Sequence, residues 1–322
     1  MNPSSDEKTK FNKKQIVSWI GTALMIASIL FLVRRLFNYR ADVDIAFLLT
    51  RGVIFGLILV VLFEGFGILL AAFNFRALVK NVSGVLVTLP LGLVVYTISN
   101  LYKYIPGGVM YVVGRNRLAV ETEELGHPEV ALSTVIEGAL VAIAAILIVV
   151  ITVSDHAVEY LREAELPVFM VFIIIAVLII GGSVLFTLRN RIMDRLKKLF
   201  GHMQVLKPLV LLKRFGFAVI LMTFWGGTFL ATLVVMGQPM TLDLASTVIG
   251  LFLLSWVAGF LTPGAPSGLG IREMVMVTFM GGVVNDGILI SAMFIHRVVA
   301  AVGDAAAYGV AVAYAQYKNS RT

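Results

Sequence analysis

Cysteine is absent from the 322 residues. No disulfide framework, thiol nucleophile or cysteine metal site is therefore open to this chain. Histidine is scarce: His127, His156, His202 and His296 are scattered without ligand spacing, so no metal site is predicted. Charge is the third shortage. Only 14% of residues are Asp, Glu, Lys or Arg, against about 25% in soluble domains, while 59% are hydrophobic. A soluble fold of this size could not cover its surface with so few charges. That excludes a soluble enzyme, a disordered chain and a nucleic-acid-binding domain. It predicts one all-α polytopic membrane domain over 1–322.

Catalytic signatures are missing as well. There is no Ser/His/Asp arrangement, His-Glu-x-x-His, Walker A loop or dinucleotide fingerprint. The chain is read as a non-enzyme that needs no cofactor.

The charges that are present lie in clusters, and the excess of 26 basic over 19 acidic residues orients the chain. Apolar runs long enough to span a bilayer cover 16–33, 52–75, 130–153, 167–188, 215–236 and 287–314. Lys8, Lys10, Lys13 and Lys14 precede the first run. It is too long for a signal-peptide core and is followed by Arg34 and Arg35, so it reads as an uncleaved span behind a disordered cytoplasmic tail, 1–14. Two further apolar stretches, 82–102 and 244–262, each run into a break, Pro106-Gly107-Gly108 and Pro263-Gly264-Ala265-Pro266. The loop 189–214 carries eight Lys and Arg residues, whereas 154–166 carries Asp155, Glu159, Glu163 and Glu165 against Arg162. If each broken stretch crossed the membrane once, the basic loop would fall outside. If each is a re-entrant hairpin, both termini and the basic loop are cytoplasmic, with only Arg34, Arg35 and Arg40 out of place. The prediction is about six full spans plus two Pro-Gly-broken hairpins in a multi-pass protein of the cytoplasmic (inner) membrane.

The breaks resemble each other. Each begins Pro-Gly and reaches an arginine nine residues later, Arg115 and Arg272, at an offset of 157, close to half the chain. Each lies between two predicted spans, which defines repeat 1 over 51–153 and repeat 2 over 215–314. Because the hairpins enter from opposite sides, the repeats are predicted to be inverted, as in transporters with interrupted helices.

A helix that restarts inside a membrane exposes N–H groups that lipid cannot satisfy, and such termini favour anions. Two phosphate cradles are therefore predicted from Pro106, Gly107, Gly108, Arg115 and Arg117, and from Pro263, Gly264, Ser267, Gly268, Gly270 and Arg272. The plainer reading is that Pro and Gly only turn the chain and the arginines snorkel to headgroups. Charges inside apolar stretches are costly and face partners or cavities. Glu64, Glu137, Glu273, Arg297 and Asp304 are such residues. Arg297 and Asp304 share a helix face, and Arg297 is expected to pair with Glu137 or Glu273. The rival reading of these groups is ion pairing that fixes helix register. Glu121, Glu123 and Glu124 beside Arg115 and Arg117 suit either a solvated loop or the metal–diphosphate site of a membrane enzyme.

Two segments carry a family likeness: Asn100 to Ala119 (NLYKYIPGGVMYVVGRNRLA) with Glu137 downstream, and Thr262 to Glu273 (TPGAPSGLGIRE) with Arg297 downstream. In this order they resemble the transmembrane region of lysylphosphatidylglycerol synthases, over roughly 15–315. The resemblance implies a flippase-like, lipid-translocating domain whose motif residues fall on Pro106, Gly107, Arg115, Glu137, Pro263, Gly268, Gly270, Arg272, Glu273 and Arg297. Ser267 departs from the pattern, standing where the family often has glycine. The chain ends soon after its last span, which predicts that it lacks the soluble aminoacyltransferase domain and its activity. The expected partner is a phosphate-bearing membrane lipid, phospholipid or isoprenoid-linked glycolipid, and not nucleic acid. The alternative is a membrane-embedded enzyme or accessory subunit of glycolipid or aminoacyl-lipid synthesis, with a lipid- or glycan-modifying enzyme as partner.

Overall fold

The computed structural model describes residues 45–104, 110–122, 125–163, 207–262, 268, 270–281 and 283–321. The predicted tail 1–14, the spans 16–33 and 167–188, and Pro106, Gly107, Gly108, Pro263, Gly264 and Ser267 lie outside the described residues. The rest is helical: α1 (Ile45–Leu48), α2 (Arg51–Ser83), α3 (Leu89–Leu101), a 3-10 turn (Tyr102–Tyr104), α4 (Met110–Arg115), α5 (Arg117–Glu121), α6 (His127–Glu163), α7 (Pro208–Val235), α8 (Leu242–Leu261), α9 (Ile271–Met280) and α10 (Asp286–Asn319). Five of these, α2, α6, α7, α8 and α10, are long and apolar enough to cross a membrane. The chain is an all-α integral membrane protein. Large apolar side chains such as Phe55, Leu62, Ile151, Ile220 and Val310 face outward, where hydrocarbon rather than water solvates them.

Local chemistry sets the helix ends. α2 runs past the predicted 52–75 until Gly84 adopts a left-handed φ of 78° and returns its N–H to Lys80. That turn removes the front of the apolar stretch 82–102, so α3 opens only at Leu89, with Pro90 in its first turn. With 13 residues, α3 reaches about 20 Å, too short to span, whereas the 20 residues of α8 reach about 30 Å. The two predicted hairpin arms thus differ in length. α7 begins with Pro208 and closes on a Schellman turn at Gly237, in which Gln238 N–H donates to Leu233 O at 3.1 Å and Gly237 N–H to Val234 O at 3.0 Å. Thr241 caps α8, and Asn285 caps α10.

α2 and α7 pack antiparallel at the centre: Gly56 meets Val235, Glu64 meets Thr228, and Asn74 accepts from Arg214. Around this pair, α2 also packs on α3, α6 and α10, and α7 packs on α8, α10 and α6. α3 packs on α10 and α4, and α8 packs on α6 and α9. The short helices α4 and α9 lean on α6 and α10, respectively. Exchanging α2 with α7, α3 with α8, α4 with α9 and α6 with α10 leaves this pattern of neighbours unchanged. One apolar core gathers around Phe229 and Phe252, stacked 4.7 Å apart. A second gathers around Phe75 and Tyr96, 5.5 Å apart.

Glycine allows the closest helix approach. A Cβ on Gly303 of α10 would lie 2.7 Å from Glu64 Cβ and 3.0 Å from Val61 O, and one on Gly65 would lie 3.0 Å from Gly303 O. Both neighbours include backbone, which cannot yield as a side-chain tip can. Gly303→Leu is expected to destabilise the protein by about 1–3 kcal/mol through overpacking, read as a lower thermal midpoint in detergent. Gly227, with no atom near its Cβ position, should accept alanine with no comparable loss.

Candidate functional site

The short helices are held by two buried ion pairs. In the first half, α4 ends on Arg115, whose guanidinium pairs with Glu137, three turns into α6. Tyr96 of α3 donates to the other Glu137 oxygen at 3.1 Å. Phe75, Tyr96 and Tyr111 put their rings 4.6, 4.4 and 5.5 Å from the guanidinium carbon. Three π-faces and one carboxylate thus surround a cation that is only 6% exposed. Its Nε is buried and makes no hydrogen bond. Gly114, next to Arg115, lets α4 lie close to the 3-10 turn, since a Cβ there would meet the Tyr102 ring at 2.6 Å. Arg117 is carried elsewhere. The backbone turns at Asn116, and Arg117 lies on an exposed face paired with Glu121, away from the Arg115 box.

In the second half the signs are reversed. Glu273, in the first turn of α9, pairs through Oε1 with Arg297, three turns into α10. Its Oε2 accepts the Gly270 N–H at 2.7 Å, capping α9. Arg297 also reaches Gly268 O at 3.4 Å. Gly268 (φ 67°) and Gly270 (φ 85°) hold left-handed conformations, and a Cβ on Gly268 would sit 2.8 Å from Gly259 Cα. This is the close backbone approach the second motif requires. Of the two partners considered for Arg297, Glu273 takes it and Glu137 goes to Arg115.

Arg272 is the exception. Both oxygens of its neighbour Glu273 are engaged elsewhere. Among the described residues no carboxylate or carbonyl bonds the Arg272 guanidinium. Its Nε is buried without a hydrogen-bond partner, and the Trp256 ring centre lies 5.9 Å from its guanidinium carbon. The two motif arginines are therefore unlike: Arg115 is neutralised and boxed in, and Arg272 has no bonded counter-ion among the described residues.

Two further clusters lie where the halves meet. Asp304 of α10, 1% exposed, accepts from Asn100 at 2.8 Å and Tyr104 at 2.7 Å and pairs with Lys103 at 2.7 Å. These contacts fix the 3-10 turn before the first break to the last span. Arg297 and Asp304 share a helix but take separate partners. Glu64 of α2, 5% exposed, contacts the Thr228 hydroxyl and lies 3.6 Å from His296 Nε2. His296 Nδ1 lies 3.1 Å from the Thr232 hydroxyl, and its ring stands edge-on to Phe229 and Phe252. Tyr96, Lys103, Thr228 and Thr232 do not figure among the sequence candidates. Lys103 carried a signal, being a lone charge against an apolar run. The other three are common in membrane helices and carried none.

Along α2 and α10 an open apolar groove of about 560 Å³ is lined by residues that include Ile54, Ile58, Phe294 and Val298. It lies on the N-terminal side of the Gly65–Gly303 contact on both helices.

A scan against family models and a search of curated proteins find no match to this chain.

Removing one member of the Arg115–Glu137 pair strands a buried charge. Glu137→Ala is expected to cost about 3–5 kcal/mol, whereas Arg117→Ala, at an exposed pair, should change stability by less than about 1 kcal/mol. Thermal unfolding of the two variants in the same detergent checks the contrast.

Proposed function

We propose that the protein binds a phosphate-bearing lipid, phospholipid or isoprenoid-linked glycolipid, and moves it between leaflets. The observation that carries this reading is the Arg272 guanidinium, which has a buried, unbonded Nε and no bonded carboxylate among the described residues, beside two left-handed glycines and the start of α9. A buried cation without a counter-ion is costly and calls for an anion. A phosphate monoester or diester suits a guanidinium through paired N–H donors. The groove between α2 and α10 offers an apolar bed for an acyl or polyprenyl chain, and Phe294 and Val298 flank Arg297 on α10.

The transport reading also draws on the exchange pattern of the helices. The swapped neighbours α2 and α7 run antiparallel, so an operation that exchanges them reverses direction across the membrane. This supports a reading as inverted repeats over 51–153 and 215–314, with a hairpin entering from each side and alternating access by rocking of the halves. The resemblance to the transmembrane region of lysylphosphatidylglycerol synthases points the same way. In this reading the protein sits in the cytoplasmic membrane with both termini inside. Arg115 holds α4 in place, and Arg272 meets the headgroup.

The test is lipid movement in vesicles. Full-length protein in proteoliposomes with fluorescent phosphatidylglycerol should carry the label across the bilayer. Arg272→Ala should slow it at least about tenfold, matching the loss of a charge-assisted hydrogen bond of about 1.5–3 kcal/mol. Arg117→Ala should leave the rate unchanged. An Arg272→Ala protein that moves lipid as fast as the parent would rule out this headgroup site.

A further inference from the structure

The geometry points to a proton-binding site at Glu64, shared with His296, at the junction of α2, α7 and α10. Thr228 Oγ1 contacts two acceptors, Glu64 Oε1 and Trp225 O, the latter at 2.7 Å. Thr232 Oγ1 contacts Thr228 O at 2.9 Å and His296 Nδ1 at 3.1 Å. Taken as four separate hydrogen bonds rather than shared ones, these contacts need one hydrogen each. The two hydroxyls supply one each, and a neutral imidazole supplies one. If Glu64 were ionised, the fourth would be missing.

A second proton on His296 does not help. Its hydrogens point to Thr232 and, from Nε2, towards Glu64, and neither lies between Thr228 and Glu64. A proton on the Glu64 carboxyl completes the set. Glu64 then donates to Thr228, Thr228 to Trp225 O, Thr232 to Thr228 O, and His296 Nδ1–H to Thr232. His296 Nε2 is left as a bare acceptor 3.6 Å from Glu64 Oε1, so the same proton has two seats, one facing Thr228 and one facing the imidazole. No metal or organic ligand is needed; the ligand is the proton.

The charges facing this site come from three elements, and the titratable Tyr104 faces it from the turn after α3. α10 presents Asp304 and, behind His296, Arg297. The turn after α3 presents Lys103, and α9 presents Arg272. From α7 only Thr228 and Thr232 reach the site. Lys103 is paired with Asp304 and Arg297 with Glu273. Arg272 is the charge left over. An anion docked on Arg272 cancels its field at Glu64, so anion and proton favour each other's presence, and by linkage each strengthens the other's binding by the same factor. This coupling rests on the lipid-headgroup reading of Arg272. The proton site itself does not.

Infrared difference spectroscopy on the full-length protein in nanodiscs reads the site without any transport. A carboxylic-acid C=O band is expected near neutral pH, lost in Glu64→Gln and lost in the parent as pH rises. Glutamine can donate to Thr228 as the protonated acid does, so the fold should hold. If that variant does not fold, Thr228→Val removes the hydrogen-bond acceptor and must shift the same band. A band unchanged in both variants, or one that never responds to pH, overturns the proposal. In proteoliposomes with labelled phosphatidylglycerol, an imposed proton gradient should change the parent's rate and leave Glu64→Gln unaffected. Equal gradient sensitivity in both overturns the coupling. A parent that moves no lipid while the band still titrates rejects the lipid reading and leaves the proton site standing.

Discussion

The fold hangs on two arginine–glutamate pairs that tie short helices to long ones. Helices of six and ten residues are too short to be stable alone. Arg115–Glu137 and Glu273–Arg297 each bind such a helix to the long helix that follows it. In the first half the cation sits on the short helix. In the second half the anion does. The sign change has a local cause. Glu273 must also cap α9 at Gly270, a task only an acceptor can do. With the anion spent on the short helix, the cation moves to the long one, and Arg272 is released from structural duty.

That release separates the two breaks. They are alike in their glycines and in the spacing to an arginine, yet one arginine is a strut and the other bonds no carboxylate among the described residues. The Asp304 cluster adds a second asymmetry, since it locks the 3-10 turn of the first half to the last helix of the second. On either side of the first break, Tyr104 is bonded to Asp304 and Arg115 to Glu137. After the second, Glu273 and Arg297 tie α9 to α10, and Arg272 bonds no carboxylate among the described residues.

Much of this was legible in the sequence because charge is rare in apolar runs. Glu64, Glu137, Glu273, Arg297 and Asp304 stood out for that reason, and all of them are partnered inside the bundle. Which charge pairs with which was less legible. Arg115 and Arg117 look equivalent on paper, and only the turn at Asn116 sends one inward and the other outward. The same holds for Arg272, whose isolation depends on both Glu273 oxygens being taken. Thr228 and Thr232 were invisible, because threonines four apart on a membrane helix are ordinary until a buried carboxylate faces them. The shortness of α3 had a signal, Gly84 following Ser83 at the end of a long apolar run, but hydropathy alone reads through it.

The Gly65–Gly303 contact has a mechanical meaning. Two helices that touch backbone to backbone at one point, and are held apart along the groove beside it, form a lever with its bearing at the glycines. Any tilt of α10 against α2 displaces atoms least at the bearing and most along Ile54 and Phe294. Glu64 sits at the bearing, and the groove lies on the arm. In the proposed transport reading, such a lever would open wide for a bulky chain while hardly moving a proton held at Glu64.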